Sequence, residues 1–215
     1  IDWIQAHPTV GKGSRILISE TVRGVGAVMV NETGARFVNE LTTRDRASDA
    51  ILKQPGRHAW LVFDADLYAK AKMVRGYDHL GMLKKADTIE GLAKAAGMDP
   101  KVLKATCEKM TKYAKQGKDE QFDKDPYYLR GISEGPFYIV RGKLNTLSSL
   151  NGVKVNAGLQ VLDKNDHVIP GLYAIGHDAG GVYGEAYDLK IGEGTASAFA
   201  INSGRMAVKT ILGNK

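Results

Sequence analysis

The stretch HVIPGLYAIGHDAGG, residues 167–181, decides the architecture: His167 to Ile175 read as a strand that stops at Gly176, after which glycines recur at 176, 180, 181, 184, 192 and 194. Glycine at that density lets backbone approach a neighbour closely. From Thr195 to Ile211, small and apolar residues recur at helical spacing, so strand, glycine-rich bend and helix follow in order. Upstream, Gly152 to Leu162 predicts another strand, joined through a turn at Lys164, Asn165 and Asp166. Before about residue 135 the composition differs, with lysine-rich helices among short strands, and the change predicts a domain boundary.

In that earlier part, Gly26 to Asn31 and Ala35 to Asn39 read as paired strands around a turn at Glu32, Thr33 and Gly34. Thr43 opens a helix with Ala47, Ala50 and Ile51 on one face, and His58 to Phe63 reads as a strand. Asp87 and Glu90 make a capping-box pattern ahead of Ile89, Leu92, Ala93 and Ala96, and Gly97 ends that helix. Asp99 and Pro100 start the next, where Leu103, Cys107, Met110 and Ala114 share a face. Cys107 therefore reads as core rather than as a nucleophile.

Composition narrows the function classes. Of 215 residues, 43% are hydrophobic and 25% charged, which is globular usage. No period of about 20 to 50 residues repeats, so a solenoid is not indicated. The apolar runs Ala59 to Phe63 and Val168 to Ile175 fall far short of the roughly 20 residues that span a bilayer, so membrane insertion is not expected. One cysteine builds neither a disulfide nor a metal site by itself, and no metal is expected. Thirty basic residues against 24 acidic give a net charge of +6, which suits an anionic ligand. The lysines alternate with acids, as in Lys115 to Lys124, where a solvated helix face or loop is the plain reading, and nucleic acid is not expected.

Two groups of residues carry candidate chemistry. His7, Ser19, Glu20, Arg23 and Arg44 cluster near Gly24 and Gly26 and suggest a charged cleft, with a set of surface salt bridges as the alternative. The glycine-rich bend before Thr195 aims free amides and a positive dipole end at one point, which suits a phosphate, a flavin carbonyl or a carboxylate. Close helix packing through Gly192, Gly194, Ala196 and Ala198 explains it equally well.

The runs His7-Pro8-Thr9, Ser19 to Gly24 and Arg36 to Asp45, with Pro170 to Gly176, Gly180 to Val182 and Ser203-Gly204-Arg205, resemble the flavin subunit of the soluble fumarate reductase and flavocytochrome c family, including urocanate and other enoate reductases. The resemblance implies an α+β capping domain over residues 7–143, followed by a segment, 144–215, that completes an α/β, Rossmann-like FAD-binding domain to which residues 1–6 also belong. It implies FAD as cofactor and reduction of the carbon–carbon double bond of an α,β-unsaturated carboxylate. Arg44 would donate the proton, Glu20 and Arg23 would relay it, and His7, Ser19, Asn145 and Gly194 would meet the substrate. Gly176, His177, Gly180, Gly181, Ala196 and Ser197 would lie along the flavin. No glycine fingerprint for the ADP half precedes His7, so the chain reads as the carboxyl-terminal piece of a longer polypeptide that begins mid-helix at Ile1 and lacks the amino-terminal ADP-binding part. Its expected partners are that FAD-binding part, the unsaturated acid and an electron-donating haem or flavin domain. The resemblance favours the periplasm, with the cytoplasm as the alternative, and the sequence itself leaves the compartment open.

Three departures shift the expected substrate. Asn145 stands where the family has a histidine, His177 where it has a glutamate, and the run Tyr183 to Ile191 is longer than the family's and lacks its arginine, leaving Tyr187 or Lys190 to replace it. A missing charge partner weakens dicarboxylate binding, so an unsaturated acid with an aromatic or uncharged tail is expected rather than fumarate. Dehydrogenation of an acid or ketone on the same scaffold is one alternative. A non-catalytic cap that binds a small anion or a partner protein is another.

Overall fold

The computed structural model describes residues 3–11, 13–184, 187 and 194–213. In chain order the elements are β1 (Ile4–Gly11), α1 (Glu20–Gly24), β2 (Val28–Val30), α2 (Arg44–Leu52), β3 (His58–Phe63), α3 (Ala65–Lys70), α4 (Lys72–His79), β4 (Leu83–Ala86), α5 (Ile89–Ala96), α6 (Pro100–Gln116), β5 (Phe137–Ser149), β6 (Gln160–Leu162), β7 (Val168–Tyr173) and α7 (Thr195–Ile211). Contacts divide the chain into His7–Asn145 and a second unit made of residues 1–6 with 146–215.

The first unit is built on a sheet of order β1-β5-β3-β2, with β4 also pairing with β5. β3 runs antiparallel to both neighbours, with Leu61 opposite Met29 on one side and Val140 on the other. Every residue of β3 is buried, so the strand faces apolar layers on both sides. Trp60 and Val62 pack with Leu92, Leu103, Cys107 and Met110 from α5 and α6. The alternate residues Ala59, Leu61 and Phe63 pack with Val22, Ile51 and Val74 from α1, α2 and α4. Cys107 is fully buried, and burial pushes its thiol up to about 12, which removes it as a nucleophile at neutral pH.

Several local expectations need correction. The expectation of a helix at Ile1 lies outside the described residues, where the first element is the strand β1 from Ile4, and its buried polar residues His7 and Thr9 disguise the strand pattern. Ala35 to Asn39 makes a single bridge, Val30 to Arg36, instead of a strand, because Arg36 turns into a buried ion cluster and Asn39 bonds the carbonyls of Phe122 and Asp123. The cap of α5 is Thr88, whose hydroxyl accepts from Gly91 N–H at 3.0 Å, one residue after Asp87. In the second unit the strand expected from Gly152 contracts to β6, with Val153 and Val155 in single bridges.

The largest correction concerns Lys115 to Lys124. After α6 ends, Asp119 and Lys124 turn inward and are buried. Arg36 grips Glu40 with two bonds, at 2.7 and 3.0 Å, and reaches Asp119 at 2.7 Å, while Lys124 Nζ lies 3.4 Å from Glu40. The second unit pairs β6 with β7 and packs a small core of Val161, Ala174 and Ala179 against Val155 and Phe199. Its α7 and β7 leave Ile169, Leu172, Ile201, Val208 and Ile211 exposed.

Removing one partner from a buried ion cluster leaves an uncompensated charge, so Lys124→Ala should cost about 3 kcal/mol in urea unfolding. The exposed Lys115→Ala should stay within about 0.5 kcal/mol. Equal effects would put Lys124 on the surface.

Candidate active site

The charged residues near the start of the chain are assembled by β1, α1 and α2. After β1 the chain doubles back, and Ile18 pairs with Thr9 through its N–H at 2.9 Å. Ser19 caps α1 by accepting from Thr21 N–H at 3.2 Å. On this single turn Glu20 and Arg23 stand three residues apart and so share a face. Arg44 opens α2, directly after its cap residue Thr43.

Glu20 is the meeting point. Its carboxylate accepts from both Nε and Nη2 of Arg44, the latter at 2.7 Å. Arg23 Nη2 lies 3.4 Å from the same carboxylate and His7 Nε2 3.8 Å. Arg23 is 1% exposed, and its Nη1 donates to the Glu40 carbonyl at 2.7 Å. Two guanidinium charges face one carboxylate, so the cluster is net positive. Among the described residues, His7 Nε2 and Arg23 Nε have no hydrogen-bond partner.

The electrostatics follow from burial. Loss of water, reinforced by Arg23, lowers the His7 imidazole to about 4, so the ring is neutral at ordinary pH. Because His7 Nδ1 accepts from Thr9 N–H at 3.2 Å, the neutral ring carries its proton on Nε2, the nitrogen that faces Glu20. Burial lowers Arg23 to about 10 against the opposing pull of Glu20. Burial alone would raise Glu20, but the Arg44 bonds outweigh it and hold the carboxyl below its usual range.

The structure therefore brings His7, Ser19, Glu20, Arg23 and Arg44 together, and Asn145 is exposed on β5. Sequence reasoning missed Glu40 as the carbonyl that holds Arg23 and Tyr77 as the hydroxyl that bonds Ser19 N–H at 2.9 Å. Glu40 lay within a recognised motif, whereas Tyr77 gave no signal beyond an apolar position on a helix.

In the second unit, Gly176, His177 and Ala196 line one crevice with Ser149, Leu150 and Tyr183. Gly176 adopts φ +56° and its N–H donates to Ser203 at 2.9 Å. A Cβ on Gly180 would meet the Gly152 carbonyl at 2.7 Å, so this glycine is required by the packing of its own unit. Gly181 and Gly194 have positive φ and open space where a side chain would stand. Gly194 caps α7 with no side-chain bond, which leaves the first-turn amides around Ala196 and Ser197 to be satisfied from outside the helix. Such an end fits a carbonyl or phosphate oxygen of a flavin dinucleotide. Tyr187 is buried, and its oxygen accepts from the Thr195 hydroxyl at 2.9 Å. Lys190 lies outside the described residues.

The chain belongs to the FAD binding domain family, whose model matches residues 1–190. Among curated proteins it is 53% identical, over 96% of its length, to the probable fumarate reductase Ifc3 of Shewanella frigidimarina. It is 31% identical, over 84% of its length, to a urocanate reductase of Eggerthella lenta. Its fold matches a flavocytochrome c3 fumarate reductase solved in the open conformation, with TM-score 0.75 and 52% identity over 96% of this chain and 36% of that one. The chain spans about a third of these curated relatives, 34% and 31% of their lengths.

The buried neutral histidine makes stability depend on acidity. The unfolded chain takes up the His7 proton near 6.5 and the folded chain only near 4, so stability falls as pH drops through that window. His7→Gln should flatten this part of the urea-unfolding profile. An unchanged slope would mean that His7 is solvated.

Proposed function

We propose that the protein reduces the carbon–carbon double bond of an α,β-unsaturated carboxylate with FAD, and that residues 7–143 serve as its capping domain while 1–6 and 144–215 belong to its FAD-binding domain. The observation that carries this reading is the net positive, largely buried cluster in which Glu20 joins Arg44, Arg23 and His7. FAD, once bound and reduced by an electron-donating haem or flavin domain, would supply the hydride. The cationic cluster attracts the substrate carboxylate and draws electron density from the conjugated alkene, which favours hydride addition at the far carbon. His7 Nε2–H and the Ser19 hydroxyl are donors suited to the carboxylate, and Asn145 adds an uncharged amide where a histidine would bring charge.

Arg44 hands the proton to the second carbon. A guanidinium is a weak acid in water, so this step needs a site shielded from solvent and an immediate source of replacement protons. Glu20 returns the proton through Arg23, a role supported by its bond to Arg44 and its 3.4 Å approach to Arg23. Gly194 and Tyr187 or Lys190 border the rest of the substrate. Gly176, His177, Gly180, Gly181, Ala196 and Ser197 hold the flavin, with the uncapped start of α7 offering amides to its oxygens. The substitutions at Asn145 and at the arginine-free run Tyr183 to Ile191 favour an acid with an aromatic or uncharged tail over fumarate. The exposed apolar residues of α7 and β7 suit a surface covered by the rest of the FAD-binding domain.

The test uses the full-length flavoprotein, reduced without oxygen and mixed with a panel of unsaturated acids. One or more acids should reoxidise the flavin. Arg44→Lys should slow that turnover by about 10³-fold while leaving the flavin spectrum intact. Near-normal turnover in this variant would remove Arg44 as proton donor, and failure of every acid would favour a binding role.

A further inference from the structure

The helix that carries Glu20 and Arg23 has only five residues, too few to hold its own direction. Its aim must be set by the backbone that enters it. That entry is Leu17-Ile18-Ser19, and the two peptide groups flanking the Ile18 α-carbon have all four of their polar atoms bonded. Thr9 takes two of them: its carbonyl accepts from Ile18 N–H and its hydroxyl donates to the Ile18 carbonyl, both at 2.9 Å. The Tyr77 hydroxyl takes the other two, accepting from Ser19 N–H at 2.9 Å and donating to the Leu17 carbonyl at 3.0 Å.

Tyr77 reaches this point from α4, 58 residues away in sequence. Its ring is 8% exposed and packs in the same apolar layer as Ile18 and Val22. The phenol oxygen is therefore fixed by the core, and through one hydroxyl it fixes the residue from which α1 starts. Thr9 makes the matching contact from the β1 side, and its own N–H bonds the His7 ring at 3.2 Å. The two residues form a bracket whose arms end at His7 on one side and at Glu20 on the other.

We propose that Tyr77 is a positioning residue for the proton relay: by clasping the peptides on either side of Ile18 it holds α1 so that the Glu20 carboxylate meets Arg44 and Arg23. The inference rests on the reductase reading for its kinetic consequence and on geometry alone for the clasp. Tyr77→Phe keeps the ring and the packing and removes only the oxygen. Leu17 is exposed and Ser19 half-buried, so water can replace both lost bonds. The fold survives, while the direction of α1 loosens.

In the full-length flavoprotein, Tyr77→Phe should lower kcat about tenfold, since a small misplacement of a reacting group is costly, with KM within about twofold. It should cause little further loss in a Glu20→Gln background, because its effect passes through that carboxylate. Tyr68→Phe, which removes a surface hydroxyl bonded to Asp78, should match the unmodified protein. Amide exchange at Ser19 should quicken about tenfold in Tyr77→Phe. Unchanged kcat, or the same fractional loss with and without Glu20, would overturn the positioning role. If the unmodified protein turns over no unsaturated acid, the reductase reading fails by itself and the exchange result decides: faster exchange at Ser19 upholds the clasp, and unchanged exchange overturns it.

Discussion

A carboxylate that two guanidinium groups compete for is the constraint on which the site is built. Glu20 bonds Arg44 through both ends of the guanidinium edge, attracts Arg23 from within its own helix and faces the protonated nitrogen of His7. The two guanidinium groups depend on it at such low exposure, because unpaired buried cations are expelled or lose their protons, whereas the His7 ring is already neutral. The arrangement also leaves positive charge in excess. A site of that kind can accept a carboxylate and, in the proposed reaction, keep a proton moving among groups that are already in contact.

Support for the cluster comes from a second layer of buried charge. Glu40 is fully buried, and Arg36, Lys124 and the Met29 N–H bind its carboxylate while its carbonyl holds Arg23. Asp119 ties Arg36 to the loop after α6 and accepts from the N–H groups of Gln121, Phe122 and Lys124. This network links β2, the segment before α2 and a distant loop. It thereby fixes the carbonyl that orients Arg23, so a surface-looking lysine helps set the geometry of the proposed relay.

Where the pattern was periodic, the sequence was legible. β3 falls on His58–Phe63 and α7 on Thr195–Ile211, as apolar spacing implies, and Gly97 ends α5 in a left-handed conformation. The charged residues His7, Glu20, Arg23 and Arg44 could be grouped because they sit in recognisable motifs. What could not be read was the direction in which polar side chains turn. Lys124 and Asp119 look like solvated charges until their partners Glu40 and Arg36 are brought near by tertiary folding, and Arg36 abandons a strand for the same reason. Tyr77 occupies an apolar helix position like many others. Its hydroxyl acquires meaning only when α4 packs beside Ser19.

The most direct test of the account is the fate of the reduced flavin when the central carboxylate is neutralised. In the full-length Glu20→Gln protein, stopped-flow mixing of the reduced flavin with the best unsaturated acid should show reoxidation slowed by about 10²-fold or more, with the oxidised flavin spectrum unchanged. Reoxidation at the rate of the unmodified protein would contradict the claim that Glu20 organises proton delivery.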